Sequence, residues 1–273
     1  MKTRKWGSAL LTLLSLALAL CWFAPLFWLC ATALTKTSFH MRFIPNTPFT
    51  LENLAYVWRA IPFAQYYLNT IFLVVVTFAV QFVTSTLAAY SLAFLHYRGK
   101  GLVFGLIFLQ IIIPNDVLII PNFMTLSEMG LIDTKLAIML PFLGSAMAIF
   151  LLRQHFKTVP RAFGEAAKLD GANLWQTIWR VYMPVARPAY LSFAVISVSY
   201  HWNNYLWPLI VTKSPQNRTL TIGLAIFAKS KEADMQWSNV CAATLIIITP
   251  LLLAFFLMQR QFMDSIVSAG VKE

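Results

Sequence analysis

Charge is what this chain has least of. Only 11% of its 273 residues are Asp, Glu, Lys or Arg, where soluble domains carry about 25%. Hydrophobic residues make up 59%. That composition excludes an ordinary soluble domain and marks a membrane protein. The net charge of +11 does not indicate nucleic acid, because the bases are not gathered into one patch on a soluble fold. Cysteine is scarce as well. Cys21, Cys30 and Cys241 all fall in apolar runs, and their spacing fits neither a disulfide framework nor a metal site, so buried thiols are expected. His40, His96, His155 and His201 are isolated, which leaves no metal-ligand spacing. A Gly-x-x-x-x-Gly-Lys-Ser/Thr loop is missing, so the chain has no phosphate cradle of its own. A nucleophile elbow is missing too, and no catalytic residue is assigned. With no long Gly/Ser linker, repeat or second soluble segment, residues 1–273 read as a single transmembrane domain.

What is present is a series of long apolar runs. Met1-Lys-Thr-Arg-Lys5 is a positive leader, and Trp6 to Thr35 carries no charge. Ala31-Thr32-Ala33 imitates a signal-peptidase site. The apolar run before it is longer than the roughly 7–15 residues of a signal core, so a first span is expected instead. Six spans are expected, at about 8–34, 68–95, 101–126, 136–152, 188–209 and 240–257. The third is interrupted by Pro114-Asn115-Asp116 and Pro121, and the fourth has a small-residue face at Gly144, Ser145 and Ala148. Lys36–Tyr67 and Ser214–Asn239 are expected to be polar loops. Six spans place both termini on one side. With the N-terminus inside, the inner segments hold 13 bases and four acids, and the outer segments hold 8 bases and 6 acids. The positive-inside rule then makes both termini and the loop 153–187 cytoplasmic, and Ser214–Asn239 external.

That inner loop carries the most patterned polar stretch, Glu165-Ala166-Ala167-Lys168-Leu169-Asp170-Gly171, with Met183-Pro184 further on. Thr158 is the expected N-cap of a helix with Pro160 in its first turn. Glu165 lies four residues after Arg161 and three before Lys168, close enough to pair with either. Ala162, Ala166 and Leu169 form a small apolar face flanked by Phe163 and Ala167. Gly171 suits a left-handed C-cap, and Asn173 suits the N-cap of a second helix running to Pro184. By itself this grammar also fits an ordinary surface helix-turn-helix.

Glu165-Ala166-Ala167, then three residues, Gly171, nine residues and Val181-Tyr182-Met183-Pro184 together resemble the signature loop of permease subunits of ATP-binding-cassette importers. Val181 and Met183 stand where the family pattern has Ile and Leu. The run Glu165–Asn173, Trp202–Leu209, Arg218-Thr219-Leu220 and the tail Ala269–Lys272 are similar to the carbohydrate-uptake branch, related to the maltose importer's smaller permease. The resemblance implies an all-α membrane protein with six transmembrane helices and a cytoplasmic coupling helix between spans 4 and 5. It implies a multi-pass location in the bacterial inner membrane. The implied function is import of a sugar or oligosaccharide by alternating access. Implied partners are the lipid bilayer, a second permease subunit, a cytoplasmic ATPase dimer that binds ATP-Mg, and a periplasmic solute-binding protein. Glu165, Ala166, Ala167, Asp170, Gly171 and Pro184 become the ATPase-coupling residues, and the tail becomes a segment that reaches the ATPase. No cofactor is implied on this chain.

Polar residues within spans suggest a pathway, because lipid-facing ones are costly. Asp116 lies within the third span, and Ser192, Ser199 and Asn203 share one face of the fifth, within about 40° at 100° per residue. Outer-interface placement and helix-helix hydrogen bonds are alternative roles for them. Import of glycerol phosphate or another polyol phosphate is an alternative within the family. A secondary transporter is the alternative of another class, but it would need inverted repeats and charged intramembrane sites.

Overall fold

A computed structural model of the chain describes residues 2–35, 48–229 and 237–270; for 2–10, 258 and 260–270 it describes the backbone alone. Part of the expected Lys36–Tyr67 loop, part of Ser214–Asn239 and the end of the tail therefore lie outside the described residues. Among the described residues every regular element is a helix, joined only by an isolated bridge between Thr35 and Phe49. Contacts divide the chain into two compact units, Met1–Ala64 with Ile222–Leu252 and Gln65–Thr221 with Leu253–Glu273.

The first unit holds α1 (Lys2–Ala33), α2 (Glu52–Ala60), most of α13 (Leu220–Ala228) and the first half of α14 (Trp237–Gly270). From Leu11 to Phe23 the α1 surface is exposed and mostly apolar, with Leu11 69% and Trp22 75% accessible, as suits a helix in lipid. Cys21 lies on that exposed surface, so it is not the buried thiol expected; a lipid-facing side chain has no protein neighbour to cover it. The chain leaving α1 is tied to α2 through Asn53, whose Nδ2 donates to Ala33 O and Thr35 O, both at 2.9 Å. Ile61 is extended because Pro62 follows it, and this separates α2 from α3 (Phe63–Phe94). Lys36–Tyr67 is thus not a plain polar loop, because it contains the amphipathic α2. Ser214–Asn239 also needs correction. Its α13 portion is apolar, with Leu220, Ile222 and Phe227 buried.

Among the described residues three stretches are long and apolar enough to cross a membrane as single helices: Leu11–Ala33, Phe63–Phe94 and Trp237–Leu257. Three further pairs do so only if each bent pair counts as one span, giving three to six membrane helices. The first pair is α4 (Lys100–Ile112) with Asn115–Glu128, which ends in α5 (Ile119–Glu128), and it bends by 97°. Pro114 lacks a helical N–H and holds Ile113 extended, so the helix must stop there. The second pair is Lys135–Phe142, opening with α6 (Lys135–Met139), and α7 (Ala146–Thr158), bent by 40°. Ser145 restarts α7 by accepting from Ala148 N at 3.2 Å. In the third pair Leu174–Val185 meets α11 (Arg187–Asn203) at 84°. The expected fifth span is therefore not continuous; it breaks at Asn204 before α12 (Leu206–Val211).

Within the second unit the break at Gly144 is covered by side chains, as backbone in a low-dielectric setting requires. Gln81 Nε2 on α3 donates to Phe142 O at 2.6 Å, and Thr84 Oγ1 to Leu143 O at 3.3 Å. The turn before α6 is held differently. Asp133 has a positive φ of 65°, and its Oδ1 accepts from Lys213 N, Ser214 N and Ser214 Oγ at 2.9–3.0 Å. Asn217 Nδ2 donates to the Asp133 carbonyl. Backbone donors from Ser214 and Lys213 hold the Asp133 carboxyl down to about 2.

A carboxylate held low stabilises the folded loop at every pH above its ordinary value of about 3.9. That stability is lost as pH falls from there through about 2. Asp133→Ala should therefore make a cysteine placed at Gln216 label faster at pH 7, while unsubstituted Asp133 should show the same acceleration only below about pH 4. Equal labelling of both proteins across that range would show that the carboxylate does not hold the loop.

Candidate functional site

α7 stops at Thr158 because Val159 precedes Pro160 and is extended. Thr158 is consequently not the N-cap expected. It stays inside α7, and its Oγ1 donates to His155 O at 2.8 Å. Pro160 takes the cap position of α8 (Arg161–Leu169) without a side-chain bond. α8 has nine residues and is about 13 Å long. At its far end Gly171 has φ 78°, Gly171 N donates to Lys168 O at 3.0 Å, and Ala172 N donates to Ala167 O at 2.9 Å. These two bonds make a Schellman cap, which needs a left-handed residue at the Gly171 position. Asn173 then opens the next helix with a reciprocal box: Gln176 N donates to Asn173 Oδ1, and Asn173 N to Gln176 Oε1, both at 2.9 Å.

The next helix starts as α9 (Leu174–Thr177), passes through a π-helical segment at Ile178–Tyr182 and ends as α10 (Met183–Val185). Pro184 explains the π geometry, since a proline ring collides with the carbonyl four residues before it unless the ladder widens. The widened turn carries Tyr182 toward α8. Gly164 of α8 is buried directly against the Tyr182 hydroxyl, and a Cβ there would overlap it. Tyr182 is 3% exposed and packs on Phe94, Tyr90 and Phe156 at ring distances of 4.3, 5.5 and 6.0 Å. Such pairs are each worth about 0.5–1.5 kcal/mol beyond area burial. The same core takes in Ala89, Leu152, Ile178, Ala186 and Tyr190. α8 therefore rests on a platform continuous with α3, α7 and α11.

The opposite side of α8 is open. Ala162, Ala166 and Glu165 are exposed, Phe163 is 54% and Leu169 90% accessible, and Leu174 and Trp175 beyond the turn are each about half exposed. Ala167 turns inward with Gly164. Asp170 is exposed at the C-cap, and Pro184 is exposed near the bend into α11. Among the described residues Glu165 makes no ion pair with Arg161 or Lys168, contrary to the expected pairing; all three side chains are in solvent, where such a pair is worth little. Sequence reasoning missed Gly164 and Tyr182. The available signal was a glycine inside a run of strong helix formers, which usually means close packing.

Of the expected pathway residues, Ser192, Ser199 and Asn203 share one face of α11, and Asp116 lies on another element. Ser192 Oγ donates to Pro188 O at 3.1 Å and Asn203 Nδ2 to Ser199 O at 2.8 Å, so these side chains serve the carbonyls of their own helix. Asp116 is exposed and lines a small cavity of about 60 Å³ with Asn122 and Asn204. A larger cavity of about 350 Å³ opens beside the Pro114 and Gly144 breaks, and α11 lines it with Phe193, Ile196, Ser197, Tyr200 and His201. Ser197 and His201 lie about 140–180° around the helix from Ser192, and the other three about 40–100° from it. Among the described residues no three His, Cys, Asp or Glu side chains gather to hold a metal.

These features define an apolar, helical membrane protein with a short exposed helix mounted on its aromatic core. The chain matches the family described as the binding-protein-dependent transport system inner membrane component over residues 4–266, and it belongs to that family. It is 35% identical over 218 residues to the lactose transport system permease protein LacG of Rhizobium radiobacter, covering 80% of this chain and 79% of that protein. It is 31% identical over 235 residues to the sn-glycerol-3-phosphate transport system permease protein UgpE of Yersinia pestis bv. Antiqua (strain Antiqua), covering 84% and 83%. Its fold matches a chain of a bacterial ABC transporter, known from a crystal structure, that is involved in import of the acidic polysaccharide alginate. The TM-score is 0.83 at 24% identity over 95% of this chain and 97% of that one.

Gly164→Ala should push α8 off its platform, because the new methyl meets a fixed ring system. Adding Tyr182→Phe removes the obstructing oxygen and should restore most of the lost function. Uptake by the single and double variants, at matched membrane levels, is the measurement. A double variant no better than Gly164→Ala would show that the contact does not position α8.

Proposed function

We propose that this chain is one of two permease subunits of an ATP-driven, binding-protein-dependent importer of a sugar or oligosaccharide, working by alternating access. The observation that carries the reading is the exposed apolar face of α8 on a platform built from α3, α7 and α11. Closure of a cytoplasmic ATPase dimer presses on that face. Tyr182 and its aromatic neighbours transmit the displacement into the membrane helices. ATP-Mg is bound and hydrolysed by the ATPase subunits. Glu165, Ala166, Ala167, Asp170, Gly171 and Pro184 act in coupling: exposed Ala166 sets the spacing of the contact, buried Ala167 seats α8 on its platform, Gly171 sets the angle of α8, and Pro184 imposes the widened turn that delivers Tyr182. A solute-binding protein delivers the sugar from the periplasmic side, and both termini are cytoplasmic. The relatives named for sn-glycerol-3-phosphate support a second reading, import of a polyol phosphate.

A residue with a Cβ at Gly171 is strained by its positive φ alone, because nothing lies within 4 Å of the position a Cβ would occupy. Gly171→Asp should thus misplace α8 with the membrane helices intact. A loss of about 1.4 kcal/mol in ATPase docking weakens it tenfold, so uptake should fall at least that far in Gly171→Asp and in Glu165→Lys. Uptake is read beside co-purification of the ATPase and the permease level in the membrane. Normal uptake by both variants would reduce this segment to a plain surface turn.

The topology follows from the charge asymmetry between inner and outer segments. A phosphatase reporter fused after Gln216 should be active, and one fused after Asn173 inactive. The reverse pattern would put α8 on the wrong side for an ATPase.

A further inference from the structure

The 350 Å³ cavity of the second unit has a composition that selects a solute class. It lies where two bent helix pairs break, beside Pro114 and Gly144, and such breaks line binding sites in transporters. Its polar groups are amides and hydroxyls, chiefly Gln81, Gln110, Asn115, Ser197 and Tyr200, with the aromatic faces of Phe142 and Phe193. Lys, Arg, Asp and Glu do not line it.

His201 is its one titratable imidazole, and hydrogen-bond geometry fixes that ring as neutral. Gln81 Nε2 donates to Phe142 O at 2.6 Å, so the amide cannot be turned the other way without setting two oxygens against each other. Gln81 Oε1 then accepts from Ser197 Oγ at 2.7 Å. The second Nε2 proton points at His201 Nε2, 3.2 Å away, which must be the acceptor. His201 therefore carries its proton on Nδ1 and has no charge. The adjoining small cavity adds one acid, Asp116, and no base. A phosphate ester, bearing about −1.5 to −2 charges at neutral pH, would meet no cation here and one carboxylate nearby.

We infer that this cavity binds one ring of a neutral sugar during transport and excludes phosphorylated polyols. Its volume is near the low end of small-molecule pockets, about 300–1,000 Å³, which suits a single ring. The amides pair with ring hydroxyls, and Phe142 and Phe193 offer apolar faces to the ring. This rests on the importer reading above and decides between its two solute classes.

The test uses Met147→Cys, a cavity-lining and partly exposed position, with Cys21, Cys30 and Cys241 replaced by Ala. The full complex is reconstituted in proteoliposomes. Labelling by a small thiol reagent is timed without ATP, in the presence of neutral sugars, lactose first, or of sn-glycerol 3-phosphate. ATP-dependent uptake of each compound is measured on the same preparation. An imported neutral sugar at about nine times its Kd should slow labelling about tenfold, by the factor 1 + [L]/Kd. Glycerol phosphate should not slow it, and Gln110→Leu or Ser197→Ala should abolish the protection. Import of a sugar without protection would overturn this site and leave the importer standing, as would protection or import of glycerol phosphate alone. Protection by a sugar without ATP-dependent import would sustain the site and overturn the importer, and the absence of both would overturn both.

Discussion

A backbone in hydrocarbon has no water to bond, so each helix that breaks there must find protein partners for the groups it frees. Much of this structure answers that constraint. At the Gly144 break Ser145 caps α7, and Gln81 and Thr84 of α3 reach across to the carbonyls of Phe142 and Leu143. Having been recruited to cover a break, Gln81 also joins Ser197 and His201 into one network. Two of the groups that keep the backbone satisfied, Gln81 and Ser145, also line the larger cavity. One set of residues repairs the break and furnishes a place for hydroxyls to bind.

At α8 the requirement is mechanical. A short helix can pass on a push only if it rests on something stiff. Gly164 lets α8 approach until its backbone meets Tyr182, and Tyr182 is gripped by Phe94, Tyr90 and Phe156. His155 adds a contact of 3.1 Å between its Nε2 and Val185 O, joining α7 to the end of the π-containing helix. Aromatic packing at interior density has low compressibility, so displacement is passed on and not absorbed. The caps at Gly171 and Asn173 fix the turn, which leaves Phe163, Leu169, Leu174 and Trp175 on one accessible surface.

Much of this was legible in the chain. Local chemistry decides helix ends: the positive φ at Gly171, the Asn173 cap and the stop before Pro160 each depend on residues within one turn. Pro114 announced an interruption for the same reason, whereas Pro184 was expected only to end its helix and the π-helical segment before it was not foreseen. Thr158 was misread because the pre-proline restriction at Val159 acts first, keeping Thr158 in the preceding helix. Glu165 was misread because spacing permits an ion pair but solvent removes most of its value.

The sequence by itself determined the membrane class, the family and the turn grammar around α8, since composition and short-range sterics carry that information without a partner. Only the tertiary structure decided which side of each helix matters. Ser192, Ser199 and Asn203 made the more obvious polar face of α11, yet Ser197 and His201 meet the cavity, because Gln81, more than a hundred residues away in sequence, packs on that side. Gly164 gained its meaning from Tyr182, and Asp133 from the amides of Lys213 and Ser214. A helical wheel orders side chains around an axis; it carries no information about what will be packed against them.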